Sequence, residues 1–174
     1  TTTNPRTAAL SERDFDGDGI LNIFDSTPNG VIPLNIPGFQ EGSIFTDASL
    51  TTGNGHTCVI LDNGSVACWG DNYWGSLGNG NSGVNSSTTT PTLTNSFGVG
   101  RTAVALSSAS GHTCAILDNG SVSCWGEGSY GRLGNGVPNG SPSGIISSPT
   151  LTSSLGIGRT VVAISSGGTH TCAI

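Results

Sequence analysis

The stretch HTCVILDNGSVACWG, His56 to Gly70, returns almost letter for letter as HTCAILDNGSVSCWG, His112 to Gly126, and a third copy opens with HTCAI at His170. A recurrence at this spacing means an array of like units, and it decides the architecture before any single residue does. The register continues past the quoted stretch. Gly75, Leu77, Gly78, Asn79 and Gly80 come back as Gly131, Leu133, Gly134, Asn135 and Gly136, and Pro91-Thr92-Leu93 come back as Pro149-Thr150-Leu151. The Ser/Gly/Asn-rich residues between these anchors differ in length, which reads as a tolerant surface loop.

Inside each unit, Asp62-Asn63-Gly64 suits a three-residue hairpin loop, a type I turn followed by a left-handed residue that glycine occupies without steric cost. Leu61 then closes on Ser65. Counting outward, Ile60 faces Val66, Val59 faces Ala67 and Cys58 faces Cys68. A directly opposed pair without backbone hydrogen bonds brings Cα atoms to about 4.5 Å, within disulfide reach. The count around Asp118-Asn119-Gly120 sets Cys114 opposite Cys124. Cys172 has no such partner within the sequence, so the reading expects a longer natural chain, cut partway through a repeat, with a cysteine about ten residues beyond Ile174 by the same hairpin count.

Short apolar runs, Ala103–Leu106 and Val161–Ile164, precede each Ser-rich turn and HTC segment and read as further strands. Four short strands per unit, 28 glycines and an apolar fraction of 34% give an all-β fold of propeller-type repeats. Two full blades and the start of a third are expected over 46–174. Residues 1–30 form a separate small module. Residues 31–45, where Pro33 and Pro37 interrupt Val31, Ile32, Leu34 and Ile36, read as an extended linker or edge strand.

The HTC opening, the Asp-Asn-Gly turn, the Cys-Trp-Gly end and the Gly-x-Leu-Gly-Asn-Gly tail resemble the regulator of chromosome condensation repeat. That resemblance implies a β-propeller, usually of seven blades, and the cysteine pair is similar to the variant of secreted and cell-surface relatives. The founding member's nucleotide exchange on a small nuclear GTPase and its chromatin binding are not carried over. This chain has neither basic tails nor cytosolic cysteine usage, and a fold does not set a function.

In the N-terminal module, Asp14, Asp16, Asp18, Asn22 and Asp25 occupy loop positions one, three, five, nine and twelve, Gly19 allows the sharp turn, and the Ile20 carbonyl supplies position seven. Oxygen ligands at this spacing point to Ca²⁺. The loop resembles thrombospondin type-three and bacterial EF-hand-like repeats. Asp25 stands where sensors carry the longer Glu, and Pro28 stops any helix begun at Leu21. A clip that stiffens the approach to the repeats is expected, rather than a switch.

Each repeat histidine sits two residues before a cysteine, a spacing that also admits a His-Cys zinc site, although cross-strand bonding explains the cysteines better. Trp69 and Trp125 read as core between blades, whereas Trp74 and Tyr130 read as exposed contacts. Asn85, Asn63, Asn119 and Asn139 begin Asn-x-Ser sequons and are candidate glycosylation sites. The turns already claim Asn63 and Asn119, and Pro142 weakens Asn139. No catalytic constellation emerges, so the expectation is a chain that is not an enzyme.

Charged residues are 9% of the chain, all five cations are arginines scattered from Arg6 to Arg159, and the net charge of −6 reflects the acidic loop. A nucleic-acid partner would need clustered cations, so none is expected. Paired cysteines indicate an oxidising compartment, hence an extracellular or cell-surface location. No apolar run is long enough to span a membrane, and no export signal is present in this stretch. These readings converge on an extracellular binding or adhesion module of a larger protein, contacting protein or glycan surfaces. The alternative is a subunit of an extracellular filament that self-assembles through strand contacts, with residues 31–37 as the donated strand.

Overall fold

The computed structural model describes residues 50–137 and 144–174, all within the compact unit Ile44–Ile174. The Ca²⁺ loop with Asp14, Asp16, Asp18, Ile20, Asn22 and Asp25, the segment 31–45, and Asn139 lie outside the described residues. Two four-stranded antiparallel meanders and one two-stranded sheet follow in chain order. The first blade is β1 (Leu50–Thr52), β2 (His56–Ile60), β3 (Val66–Gly70) and β4 (Thr88–Leu93). The second is β5 (Ala103–Ser108), β6 (His112–Leu117), β7 (Val122–Glu127) and β8 (Ile145–Leu151), and β9 (Ile164–Ser166) with β10 (Thr171–Ala173) opens a third.

The β2–β3 hairpin closes through Leu61 N–H to the Ser65 carbonyl at 2.8 Å, with Gly64 at φ +74° in the left-handed region. Its register pairs Cys58 with Cys68, Val59 with Ala67 and Ile60 with Val66. The second hairpin repeats it, and both cysteine pairs stand at disulfide distance with Cα atoms 4.1 Å apart. A side chain at Gly64 would also collide with Thr102, whose neighbour Ala103 donates to the Gly64 carbonyl at 2.9 Å. The turn therefore anchors the first strand of the next blade.

Two sequence expectations are corrected. The stretch read as loop is loop only in part, because its last residues form β4 and β8, whose Thr, Ser and Pro composition carries little strand signal. Pro91 and Pro149 are tolerated there since each strand is the outer edge of its sheet. The run Val161–Ile164 is mostly not strand: β9 begins at Ile164, and Val162 and Ala163 pair only with the backbone of Ile174.

The core lies between sheets. One cluster joins Cys58, Val66, Cys68 and Leu77 of the first blade to Ala103, Leu106, Ala115, Leu117 and Trp125 of the second. Another joins Cys114, Ile116, Val122, Cys124 and Leu133 to Val161, with Ile164 packed against it. The middle blade is thus covered on both sides, and all six residues of β6 are buried, whereas β2 is buried at only two of five. Face-to-face packing of successive meanders is the packing of a propeller.

Candidate binding surface and the seams beneath it

A register shift in the β7–β8 ladder between Cys124 and Gly126 falls at Trp125, and the same irregularity falls at Trp69 in the first blade. Such a bulge re-aims the side chain it carries. Trp125 turns into the seam and is fully buried, and its Nε1 donates to the Ser76 carbonyl of the preceding blade at 2.8 Å. Gly78 lies so close to the indole that a Cβ there would stand 2.8 Å from Nε1, while Phe97 tilts against the ring with centroids 5.9 Å apart. Trp125 is core between blades, as its place in the repeat implied, and Trp69 is half-buried on the outer side of the first blade.

The repeated histidines latch one blade to the next. His56 Nε2 meets Thr113 Oγ1 at 2.9 Å, and His112 Nε2 meets Thr171 Oγ1 at 3.0 Å. Thr113 Oγ1 in turn donates to the Ser76 carbonyl at 3.1 Å, the acceptor Trp125 uses. Burial pushes His56 down from the usual 6.5 to about 4, against a partial upward pull from Asp71. Burial likewise lowers His112 to about 4, helped by the positive charge of Arg132 and by the neighbouring histidines. Both rings are therefore neutral near pH 7, because burial disfavours the charged form. Each Nε2 is held by a threonine and the cysteines stand paired across strands, so His and Cys of a hairpin do not come together as a zinc set among the described residues. No group of three metal-ligating side chains occurs among the described residues.

The latch was not visible from local sequence, since each partner lies in the following copy. Its only signal was the return of His-Thr as a unit in all three copies. Also missed was the ion pair of the second blade: Arg132, nearly buried, donates to Glu127 Oε2 at 2.8 Å and to the Gly168 carbonyl of the third blade at 3.1 Å. The first blade has Ser76 and Asp71 at these positions and bonds differently, Ser76 Oγ donating to the Asp71 carbonyl at 2.8 Å.

Strand direction separates two faces. The Asp-Asn-Gly turns and the 94–102 connection emerge at one end of the blades, and the loops that follow Cys-Trp-Gly emerge at the other. The second face carries Tyr73, Trp74 and Tyr130, exposed by 47%, 38% and 74%. Trp74 and Tyr130 are equivalent residues of successive blades, so their exposure is a repeated feature of one surface. Tyr73 stacks edge-on against Trp74 at 5.0 Å, and Arg132 lies 5.7 Å from the Tyr130 ring centroid. The first-blade loop is braced by buried Asn72, which accepts from Leu77 N–H at 3.0 Å and donates to the Asn81 carbonyl at 3.0 Å. Asn63 and Asn119 sit exposed on the opposite face, each Oδ1 accepting from the backbone two residues on. Asn85 is exposed on the aromatic face, with φ +64°.

Models of the regulator of chromosome condensation (RCC1) repeat match residues 63–116 and 119–174, and a second model of that description matches 48–76 and 103–132. The chain belongs to the RCC1 repeat family. The longer RCC1 matches begin in the hairpin turn of one blade and end in β6 or beyond β10 of the next, so the family's repeat unit is offset from the structural blade and straddles each seam. Human E3 ubiquitin-protein ligase HERC2 is 33% identical over 92 residues, 52% of this chain but 2% of that protein. The X-linked retinitis pigmentosa GTPase regulator homolog of Caenorhabditis elegans is 35% identical over 85 residues, 49% of this chain and 6% of that protein. This chain thus spans a small part of the length of these relatives. Among solved structures, human WBSCR16 superposes with a TM-score of 0.62 at 22% identity, over 72% of this chain and 29% of that one. Prp20p of Saccharomyces cerevisiae superposes at 0.59 and 16% identity, over 72% and 30%. At these identities the likeness establishes the RCC1-type propeller fold.

Proposed function

We propose that this chain is a non-enzymatic, extracellular protein-binding module, part of a larger secreted or cell-surface protein, with its contact surface on the face that carries Tyr73, Trp74 and Tyr130. The observation that carries the reading is the repetition of an exposed aromatic at equivalent positions of adjacent blades, on loops braced from beneath by Asn72 and by the Arg132–Glu127 pair. Aromatic side chains held rigidly at the surface contribute large contact area at little entropic cost and are enriched where proteins bind proteins. Prp20p, of the same fold, binds Gsp1p and histones. This likeness of fold supports a protein partner, while the paired cysteines favour an oxidising compartment and so a different partner. Calcium at Asp14, Asp16, Asp18, Ile20, Asn22 and Asp25 would stiffen the chain ahead of the blades.

Photo-reactive benzoylphenylalanine placed at Trp74 and at Tyr130, in separate variants, tests the surface. Ultraviolet exposure on cells that produce the protein is expected to cross-link both variants to the same protein. A control variant at Val99, fully exposed on the opposite face, is expected to stay uncoupled. Equal capture from Val99 would refute the assignment of the face.

A further inference from the structure

Asparagine followed by glycine is the sequence at which a chain can attack itself, because glycine has no side chain to shield its amide nitrogen from the neighbouring carboxamide. The pair occurs seven times, and Asn54, Asn63, Asn79, Asn119 and Asn135 lie among the described residues. Four of these five are held in place. The Oδ1 atoms of Asn63, Asn79, Asn119 and Asn135 accept from the backbone amides of Ser65, Asn81, Ser121 and Val137 at 2.9, 3.1, 3.1 and 3.2 Å. Such Asx turns fix the side chain and the backbone torsion beside it, so the carboxamide cannot swing onto the glycine nitrogen. Asn54 is different. It is exposed, and its side chain makes no hydrogen bond among the described residues. The Gly55 amide is tied only to the Gly53 carbonyl of the same short turn at 3.0 Å, whereas the Gly64 and Gly120 amides close their hairpins and the Gly80 amide reaches Ser147 of the second blade.

We infer that Asn54 is a site of spontaneous deamidation, and that its conversion loosens the seam between the first two blades. The Gly55 amide nitrogen attacks Asn54 Cγ, a C–N bond forms, the Cγ–Nδ2 bond breaks, and ammonia leaves with the amide proton. Water then opens the cyclic imide at either carbonyl, giving an aspartate or an isoaspartate. In the isoaspartate the main chain runs through Cβ and Cγ and is one carbon longer. The turn has little room for that carbon. The Asn54 amide donates to the Ala109 carbonyl of the second blade at 3.2 Å, and the Gly55 carbonyl accepts from the Asp71 amide at 2.8 Å. A Cβ on Gly53 would stand only 2.4 Å from the Ala109 carbonyl oxygen and 2.1 Å from the His56 ring, so the turn is wedged between the two. Two residues on, His56 makes the latch to Thr113. A lengthened backbone therefore shifts the anchors of the first seam against one another. The second blade has no such site in its own turn, because Ser110 stands at the equivalent position.

The test ages the full, folded chain in mildly alkaline buffer made with water enriched in heavy oxygen, which marks each newly formed carboxylate. Peptide mass spectrometry is expected to show Asn54 converting at least about fivefold faster than Asn63, Asn79, Asn119 or Asn135, the factor that one ordinary hydrogen bond corresponds to. In the chain unfolded by urea that spread is expected to collapse, since all five are followed by glycine and none is held. The aged native chain is expected to unfold at a lower urea midpoint than the fresh one. Asn54→Gln, whose longer side chain closes an imide ring reluctantly, is expected to keep its midpoint over the same period. Conversion at any of the four held asparagines as fast as at Asn54, the same ranking in the unfolded chain, or equal losses of midpoint in the aged native and Asn54→Gln chains would overturn the inference.

Discussion

Acidification from pH 7 to pH 5 should loosen the seams through His56 and His112. Both titrate at about 4 in the folded chain and near 6.5 when unfolded, so between these values the unfolded chain binds more protons. The stabilisation from keeping the rings neutral is present above pH 6.5 and is lost as pH falls towards 4. Linkage over this window gives about 2 kcal/mol per histidine at pH 5 relative to pH 7, and roughly 3–4 kcal/mol for the two together. Urea unfolding followed by tryptophan fluorescence reads this as a fall in midpoint with an unchanged slope. The decisive quantity is the difference between the native chain and a His56→Asn, His112→Asn double variant. Asparagine retains a polar partner for Thr113 and Thr171 and does not charge. The variant should be less stable at pH 7 yet lose about 3 kcal/mol less on acidification. Equal losses for both chains would refute the reasoning from burial to proton linkage.

Trp125→Ala should cost about 3–5 kcal/mol by emptying the first seam, whereas Trp74→Ala should change stability by less than about 1 kcal/mol, both read from thermal or urea unfolding. Gly120→Ala should cost at least about 1–2 kcal/mol, because φ is +75° and the new Cβ would stand 2.5 Å from Thr160 Cβ. Chelation of Ca²⁺ should expose residues 10–28 to limited proteolysis while leaving the blades resistant. Unchanged cleavage on chelation would count against the metal loop.

What could be read from sequence was set by how local the physics is. The hairpins were legible to the residue, because Asp-Asn-Gly specifies its own turn and the turn then dictates which cysteines face each other. The burial of Trp125 was legible from its fixed place after the cysteine. β4 and β8 were not, since strands of Thr, Ser and Pro are held by pairing with β3 and β7 rather than by any alternation of their own. The His–Thr latch and the Arg132–Glu127–Gly168 bridge were hidden for a different reason. They join residues of successive blades, and such contacts acquire meaning only when the angle between blades is known.

The most direct test of a disulfide-stapled extracellular module is the state of its five cysteines in protein isolated without reductant and alkylated before and after reduction. The expected result is that Cys58, Cys68, Cys114 and Cys124 are labelled only after reduction, with peptides linking 58 to 68 and 114 to 124. Five alkylations without reduction, or linkages between hairpins, would contradict it.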